Sequence, residues 1–505
     1  MQSLPQTSSM VTDPALISGE RQLNDADLTV AARRAASGLH DLGIWQGDQV
    51  ALLLRNDMSF IEASLAATLL GASPVPINWH FTPEEIAYIL DDSGAKVLVA
   101  HADLLTESVL AVCGNVEIVA VDTPPEVARA YGIAEASCRA AGGLPEWSSW
   151  LRGYPEWQDS PRSVAGPMFY TSGTTGRPKG VKRKSASPEV VAGIERRTAV
   201  AWGFADAPIR AVLTGPLYHS APNAYALQVV RRKGLLVMQP RFSAEGLLVL
   251  IQDHRITHLH MVPTMFVRLL NLPEAVRRAY DLSSLQFVTH GSAPCPPDIK
   301  RAMIDWWGPI IHEYYAMTEI GLVTASTSEE WLAHPGSVGK ALPGVDIVIA
   351  EDGEIRVRSE TTTRFTYHRA QDKTDAVRVG DFVATGDIGH LDDGFLYIND
   401  RKSDMIITGG VNVYPAEIEH QLSGLPGLRD CAVFGVPDQE FGERIVAVLE
   451  SDGPLHAEMV RDWLKPRLSS YKMPREIHFA DRLPREDSGK IKKRLLRAAL
   501  LEGRL

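Results

Sequence analysis

Cysteine is scarce in this chain. Cys113, Cys138, Cys295 and Cys431 are the four among 505 residues, with no Cys-x-x-Cys pair and no regular spacing. A disulfide mini-protein is therefore excluded, a cysteine-based zinc site is disfavoured, and a reducing compartment is implied. Each cysteine is expected to serve as a small buried hydrophobe. Basic charge is also in deficit: Lys+Arg 51 against Asp+Glu 62 leaves −11. That balance speaks against nucleic acid or an anionic lipid surface as a partner. Apolar runs such as Ser64 to Leu70 meet Gly71 and Pro74, well short of the roughly 18 to 20 residues that span a bilayer. Met1 to Ile17 lacks the basic start and apolar centre of a secretory signal, so a soluble, cytoplasmic protein is expected. Internal repeats, low-complexity tracts and the Gly-x-Ser-x-Gly of serine hydrolases are likewise missing.

What is present suffices for a large core. The chain is 45% hydrophobic, and at about 150 residues per domain its length suggests about three compact units. From about residue 26 to 160 the pattern alternates between strands and helices, beginning with Val50 to Leu54, a turn at Asn56-Asp57 and helix-like Met58 to Leu70. Thr82-Pro83-Glu84-Glu85 reads as a hydroxyl cap, a proline at the first helical position and a capping-box glutamate. Gly94 ends that helix ahead of a strand at Lys96 to Ala100. Such alternation predicts an α/β fold with a mostly parallel sheet. Gly142 to Pro161 reads as a soft connection to a second α/β unit, which spans about 163 to 330. From Gly339 a small β-rich subdomain is expected, with a hairpin joining Val345 to Ile349 and Glu354 to Arg358. The residues after Asp400-Arg401 read as a separate small α+β domain.

The strongest chemical signal is Tyr170-Thr171-Ser172-Gly173-Thr174-Thr175-Gly176-Arg177-Pro178-Lys179-Gly180. Glycines let backbone N–H groups converge on phosphate oxygens, the hydroxyls add donors, and Lys179 supplies a mobile positive charge. The glycine spacing, and a glycine after the lysine, do not fit a Walker A loop, which speaks against the alternative of an ADP-forming P-loop ATPase or kinase. His254, His258 and His260 invite a zinc assignment, but no Glu follows His254, and alternation sends His258 and His260 to one face of a strand.

At this loop the chain resembles the adenylate-forming enzymes, the family of acyl-CoA synthetases, firefly luciferase and peptide-synthetase adenylation domains. The resemblance continues in register through Leu217-Tyr218-His219-Ser220, Gly291-Ser292-Ala293-Pro294, Tyr315-Ala316-Met317-Thr318-Glu319, Thr385-Gly386-Asp387, Asp400-Arg401, Gly409-Gly410, Pro415 to Glu419, and Pro484-Arg485 with Gly489-Lys490. It implies a large N-terminal domain, residues 1–400, of two α/β subdomains plus the β-rich subdomain. A small mobile lid, residues 401–505, would follow it. By the same resemblance the loop from Thr171 to Lys179 binds ATP phosphates, Thr318 contacts the α-phosphate and Glu319 holds Mg²⁺. Gly291-Ser292-Ala293 would form the adenine slot, Tyr315 would stack on the base, and Asp387 and Arg401 would take the ribose. His219 would lie beside the acyl group, Lys490 would bridge carboxylate and α-phosphate, and Gly409-Gly410 would approach the coenzyme A tunnel. The basic residues Lys492, Lys493, Arg494 and Arg497 read as a solvated helix face.

These implications amount to an ATP- and Mg²⁺-dependent ligase, most similar to the fatty-acid type, that joins a fatty or other apolar carboxylic acid to coenzyme A and releases AMP and pyrophosphate. A carrier protein or another acceptor remains the open alternative to the thiol. Two positions depart from the family pattern. Ala316 stands where a glycine is usual, adding a methyl group beside the acyl channel, and Ser403 occupies the expected hinge.

Overall fold

The structure is a computed structural model that describes residues 13–140, 142–162, 166–171, 178–204, 208–409, 411–451, 453–485 and 491–505. Its first layer follows the apolar pattern closely. Strand Gln49–Leu53 is buried at every position and leads into helix Met58–Leu69, whose first turn is capped by the Asp57 carboxylate. Strands Ser73–Pro76, Gln49–Leu53, Val97–His101 and Glu117–Val121 form an all-parallel sheet in that order. Helix Pro83–Ser93 has the capping box, the leading proline and a left-handed Gly94 at its end. It buries Ile86, Ile89 and Leu90, each contributing about 1.5–3 kcal/mol by leaving water.

The stretch foreseen as a soft connection is instead built into the core. It forms helix Trp147–Arg152, with Trp147 buried and Trp150 lying where a Gly38 side chain would be. Aromatic area drives this, since each indole removes far more apolar surface from water than a loop residue does. The Trp147 indole donates to Glu62 at 2.6 Å. Burial nevertheless pushes the Glu62 carboxyl up to about 7.

The second sheet is larger. Strands Ile311–Met317, Phe287–His290, His258–Met261, Arg210–Leu213 and Leu235–Met238 lie side by side in parallel. The hairpin Pro14–Ser18 and Arg21–Asn24 closes the far edge of this sheet beside Leu235–Met238. Helices Pro188–Trp202 and Ser220–Arg231 cover one face, and helices Ala244–Asp253, Pro263–Leu270 and Pro297–Trp307 the other.

The β-rich segment does form the expected hairpin, with Asp346–Ile349 antiparallel to Glu354–Arg358. Its strands are hydrogen-bonded into the large sheet through Gly321–Ser326 and Lys340–Ala341, so that the sheet continues without a break. An edge strand carries unpaired N–H and C=O groups, and continuation satisfies them.

After Arg401 a separate sheet forms from Val411–Val413, Ile406–Thr408, Gly442–Ser451 and Leu428–Asp438, with Glu476–Phe479 pairing at Gly442–Ser451. It has its own apolar cores. Lys493 departs from the solvated face expected of it. Its ammonium lies 2.8 Å from Glu419, and the charges of Glu419 and Asp400 hold it protonated against the opposing effect of burial. No described helix is long and apolar enough to cross a membrane.

Candidate active site

The C-terminal ends of the parallel strands, where open α/β sheets bind ligands, carry the family-like segments. Strand Phe287–His290 runs out into Gly291, and no side chain fits there: a Cβ would come within 2.7 Å of the Tyr314 carbonyl oxygen. Ser292 follows with φ 68°, a conformation uncommon for a non-glycine residue. The neighbouring strand Ile311–Met317 turns back through Thr318 to Ile320 into Gly321–Ser326, with a register shift between Tyr315 and Ala316. Such a bulge re-aims side chains at a sheet end, and Tyr315, Ala316, Thr318 and Glu319 all lie at or beyond it.

Two clusters form here. In the first, Asp387 is 5% exposed. One of its oxygens accepts from the Tyr315 hydroxyl at 2.5 Å, and the other lies 3.1 Å from Arg401 Nε. Burial, then the adjacent Asp387 charge, push the Tyr315 phenol well above its usual range. In the second cluster, Thr171 and Lys179 pair across the antiparallel strands Phe169–Thr171 and Lys179–Arg183. Lys179 Nζ sits 5.0 Å from the centre of the Tyr367 ring, and the Tyr367 hydroxyl donates to Glu319 Oε1 at 2.8 Å. Arg183 donates to the Thr318 carbonyl, and the Thr318 hydroxyl meets Ser220 Oγ at 3.2 Å.

His219 occupies the position immediately before helix Ser220–Arg231, half-buried beside Tyr218. Its place at the head of that helix puts it next to Ser220 and hence near Thr318. Gly409 belongs to the C-terminal sheet, with φ 58° and its N–H donated to Phe441 O at 2.8 Å. Ser172, Gly173, Thr174, Thr175, Gly176, Gly410 and Lys490 lie outside the described residues. Arg485, close in sequence to Lys490, pairs with Asp430 of the C-terminal sheet. Burial and the charge of Arg268, on helix Pro263–Leu270, lower it to about 10.

Tyr367 and Arg183 escaped the sequence reading. Tyr367 ends a short β stretch without a motif, and Arg183 is hidden in the cationic run Lys182-Arg183-Lys184. The three histidines separate as the strand pattern requires. His258 contacts Gly203 O at 3.0 Å and His260 the Tyr314 hydroxyl at 2.7 Å, whereas His254 ends helix Ala244–Asp253. Burial lowers His260 to about 4, so it is neutral at pH 7.

Comparison with known proteins gives these clusters a family. The AMP-binding enzyme profile matches residues 6–364, and the profile of the AMP-binding enzyme C-terminal domain matches residues 417–490. A long-chain-fatty-acid–CoA ligase of Mycobacterium tuberculosis is 31% identical over 490 residues, which cover 94% of this chain and 92% of the relative. A 2-succinylbenzoate–CoA ligase of Bacillus licheniformis is 32% identical over 492 residues, covering 94% and 95%. Among solved structures, ATP-bound MatB from Rhodopseudomonas palustris matches with a TM-score of 0.82 at 28% identity, covering 98% of this chain and 97% of that one. The o-succinylbenzoate CoA synthetase of Bacillus subtilis, in complex with its acyl-adenylate intermediate, matches with 0.80 at 27% identity, covering 97% and 96%. With both profiles matched in order and relatives aligned along nearly its whole length, the chain belongs to the AMP-binding enzyme family, the adenylate-forming enzymes.

Proposed function

We propose that the chain is an ATP-dependent ligase that converts an apolar carboxylic acid to its coenzyme A thioester, releasing AMP and pyrophosphate. The observation that carries this is the meeting of Lys179, Tyr367 and Glu319 beside Thr318 at the same sheet end as the Tyr315–Asp387–Arg401 cluster. One cluster suits a triphosphate and the other a ribose, whose vicinal hydroxyls call for a carboxylate acceptor.

A carboxylate is a poor electrophile, so it is first given a leaving group. Its oxygen attacks the α-phosphorus of ATP and the bond to pyrophosphate breaks. The thiolate of coenzyme A then attacks the acyl carbon and AMP leaves. In the first step Thr318 and Lys179 hold phosphate oxygens, and Lys490 neutralises the charge that gathers between carboxylate and phosphate. Asp387 and Arg401 hold the sugar. Residues 1–400 would hold the substrates. Residues 401–505 would form the lid that brings Lys490 and excludes water from the adenylate.

Glu319 is suited to Mg²⁺. It keeps a second oxygen beyond the one that accepts from Tyr367, and no group of three or more metal-binding side chains occurs among the described residues. Mg²⁺ is typically bound by one or two carboxylates plus substrate phosphates, and when bound it would neutralise phosphate charge.

The surroundings of Ser220 are apolar and aromatic, which supports an apolar acid. Under helix Ser220–Arg231, Trp202, Phe204, Tyr225, His260 and Tyr314 are each at most 5% exposed, with successive rings 5.0 to 6.3 Å apart. The test is release of AMP and pyrophosphate across a panel of acids, with and without coenzyme A. Acid-dependent AMP with acyl-CoA product is the expected result. Adenylate without thioester would point to another acceptor, and ADP would overturn the reading.

A further inference from the structure

Helix Pro83–Ser93 makes contacts that its own stability does not require. Tyr88 and Asp92 lie four residues apart and so share one helix face. The Tyr88 hydroxyl donates to Pro178 O at 3.0 Å, next to Lys179, and Asp92 accepts from the Tyr170 hydroxyl at 2.6 Å, next to Thr171. The two phenol rings meet edge to face, 6.4 Å apart. Tyr170 also lies over Gly180, where an added Cβ would stand 3.1 Å from its ring.

The same helix end reaches the strand that carries Tyr367. Asp92 O is bonded to His368 Nε2 at 2.9 Å, and Asp91 O accepts from Arg369 at 3.2 Å. His368 N in turn donates to Gly180 O at 2.8 Å. Lys179, whose ammonium faces the Tyr367 ring, is therefore flanked by two strands tied to one helix. Two carboxylates at the C-terminal end of a helix oppose its dipole. A residue that breaks a local rule while making long-range bonds points to a task outside its own element.

We propose that Tyr88 and Asp92 are positioning residues that hold Thr171 and Lys179 at the nucleotide phosphates. The inference rests on the nucleotide reading of Lys179 given above. Hydrogen bonds to charged groups are the stronger kind, so the Asp92–Tyr170 contact should matter more than the Tyr88 contact.

The experiment uses the full chain and four variants: Asp92→Ala, Tyr170→Phe, their double, and Tyr88→Phe. Equilibrium binding of ATP and the KM values for ATP and for the acid are read side by side. Asp92→Ala and Tyr170→Phe should each weaken ATP about tenfold while leaving the KM for the acid within about twofold. The double variant should be no worse than the worse single one, because both remove a single bond. Tyr88→Phe should weaken ATP about threefold.

Equal weakening of ATP and acid, multiplying effects in the double variant, or unchanged ATP affinity would overturn the proposal. Should Asp92→Ala fail to fold, the two Phe variants, which remove only a hydroxyl, decide the question. If the parent protein binds ATP but releases no pyrophosphate with any acid, the ligase reading fails. The positioning role is then judged on ATP affinity alone.

Discussion

At the end of the site assigned to ribose, Asp387 and Arg401 are register partners on neighbouring strands, and Tyr315 reaches them from the same sheet. At the end assigned to phosphate, Lys179, Tyr367 and Glu319 come from three segments, two of which pair in a small separate sheet. The first arrangement inherits its geometry from backbone hydrogen bonds. The second depends on side chains meeting side chains. Strand pairing tolerates the loss of one side chain, whereas a side-chain relay does not, so the phosphate end should be the more sensitive to substitution.

The sharpest test of that contrast is Glu319→Gln. It should lower acid-dependent pyrophosphate release by about 100-fold with little change in the KM for ATP, as expected when a group acts on charge that develops in the transition state. A change in KM alone would make the two ends alike. Ser403→Pro addresses the lid. Fixing φ in the exposed turn after Arg401 should leave adenylation within about threefold and slow thioester formation about tenfold or more. Equal loss of both half-reactions would remove Ser403 as the hinge.

Asp387→Asn should raise the KM for ATP about tenfold and leave the turnover number nearly unchanged, because the sheet keeps the position while the charged acceptor is lost. A collapse in turnover would show that the ribose end is no more robust than the other. Tyr367→Phe should slow adenylation about tenfold, the worth of one hydrogen bond to a charged group. If it raises only the KM, the relay from Lys179 to Glu319 is not what positions the phosphates.

Much of the layout was legible in the residues. Thr82-Pro83-Glu84-Glu85 and Gly94 specify a helix because caps act within one turn, and the helix is where they place it. The turn Glu351-Asp352-Gly353 specifies a hairpin for the same local reason, with φ 81° at Gly353. Long-range partners were not legible. Lys493 resembles its basic neighbours in sequence, yet it alone of the run meets both Glu419 and Asp400. Tyr367 carries no motif, and nothing near Tyr88 or Asp92 in sequence foretells Pro178 or Tyr170.

The residues alone determined the alternation of strands and helices, the caps and turns, and the family-like segments, since each depends on interactions within a few positions along the chain. Only the tertiary structure decided that the hairpin from Pro14 closes a sheet made largely of residues beyond 200, that the β-rich strands extend that sheet, and that Lys179 faces Tyr367 and Glu319. Those arrangements come from burial of apolar faces and from the need to pair every buried polar group. Both are satisfied by whichever segments the completed fold brings together, however far apart they lie along the chain.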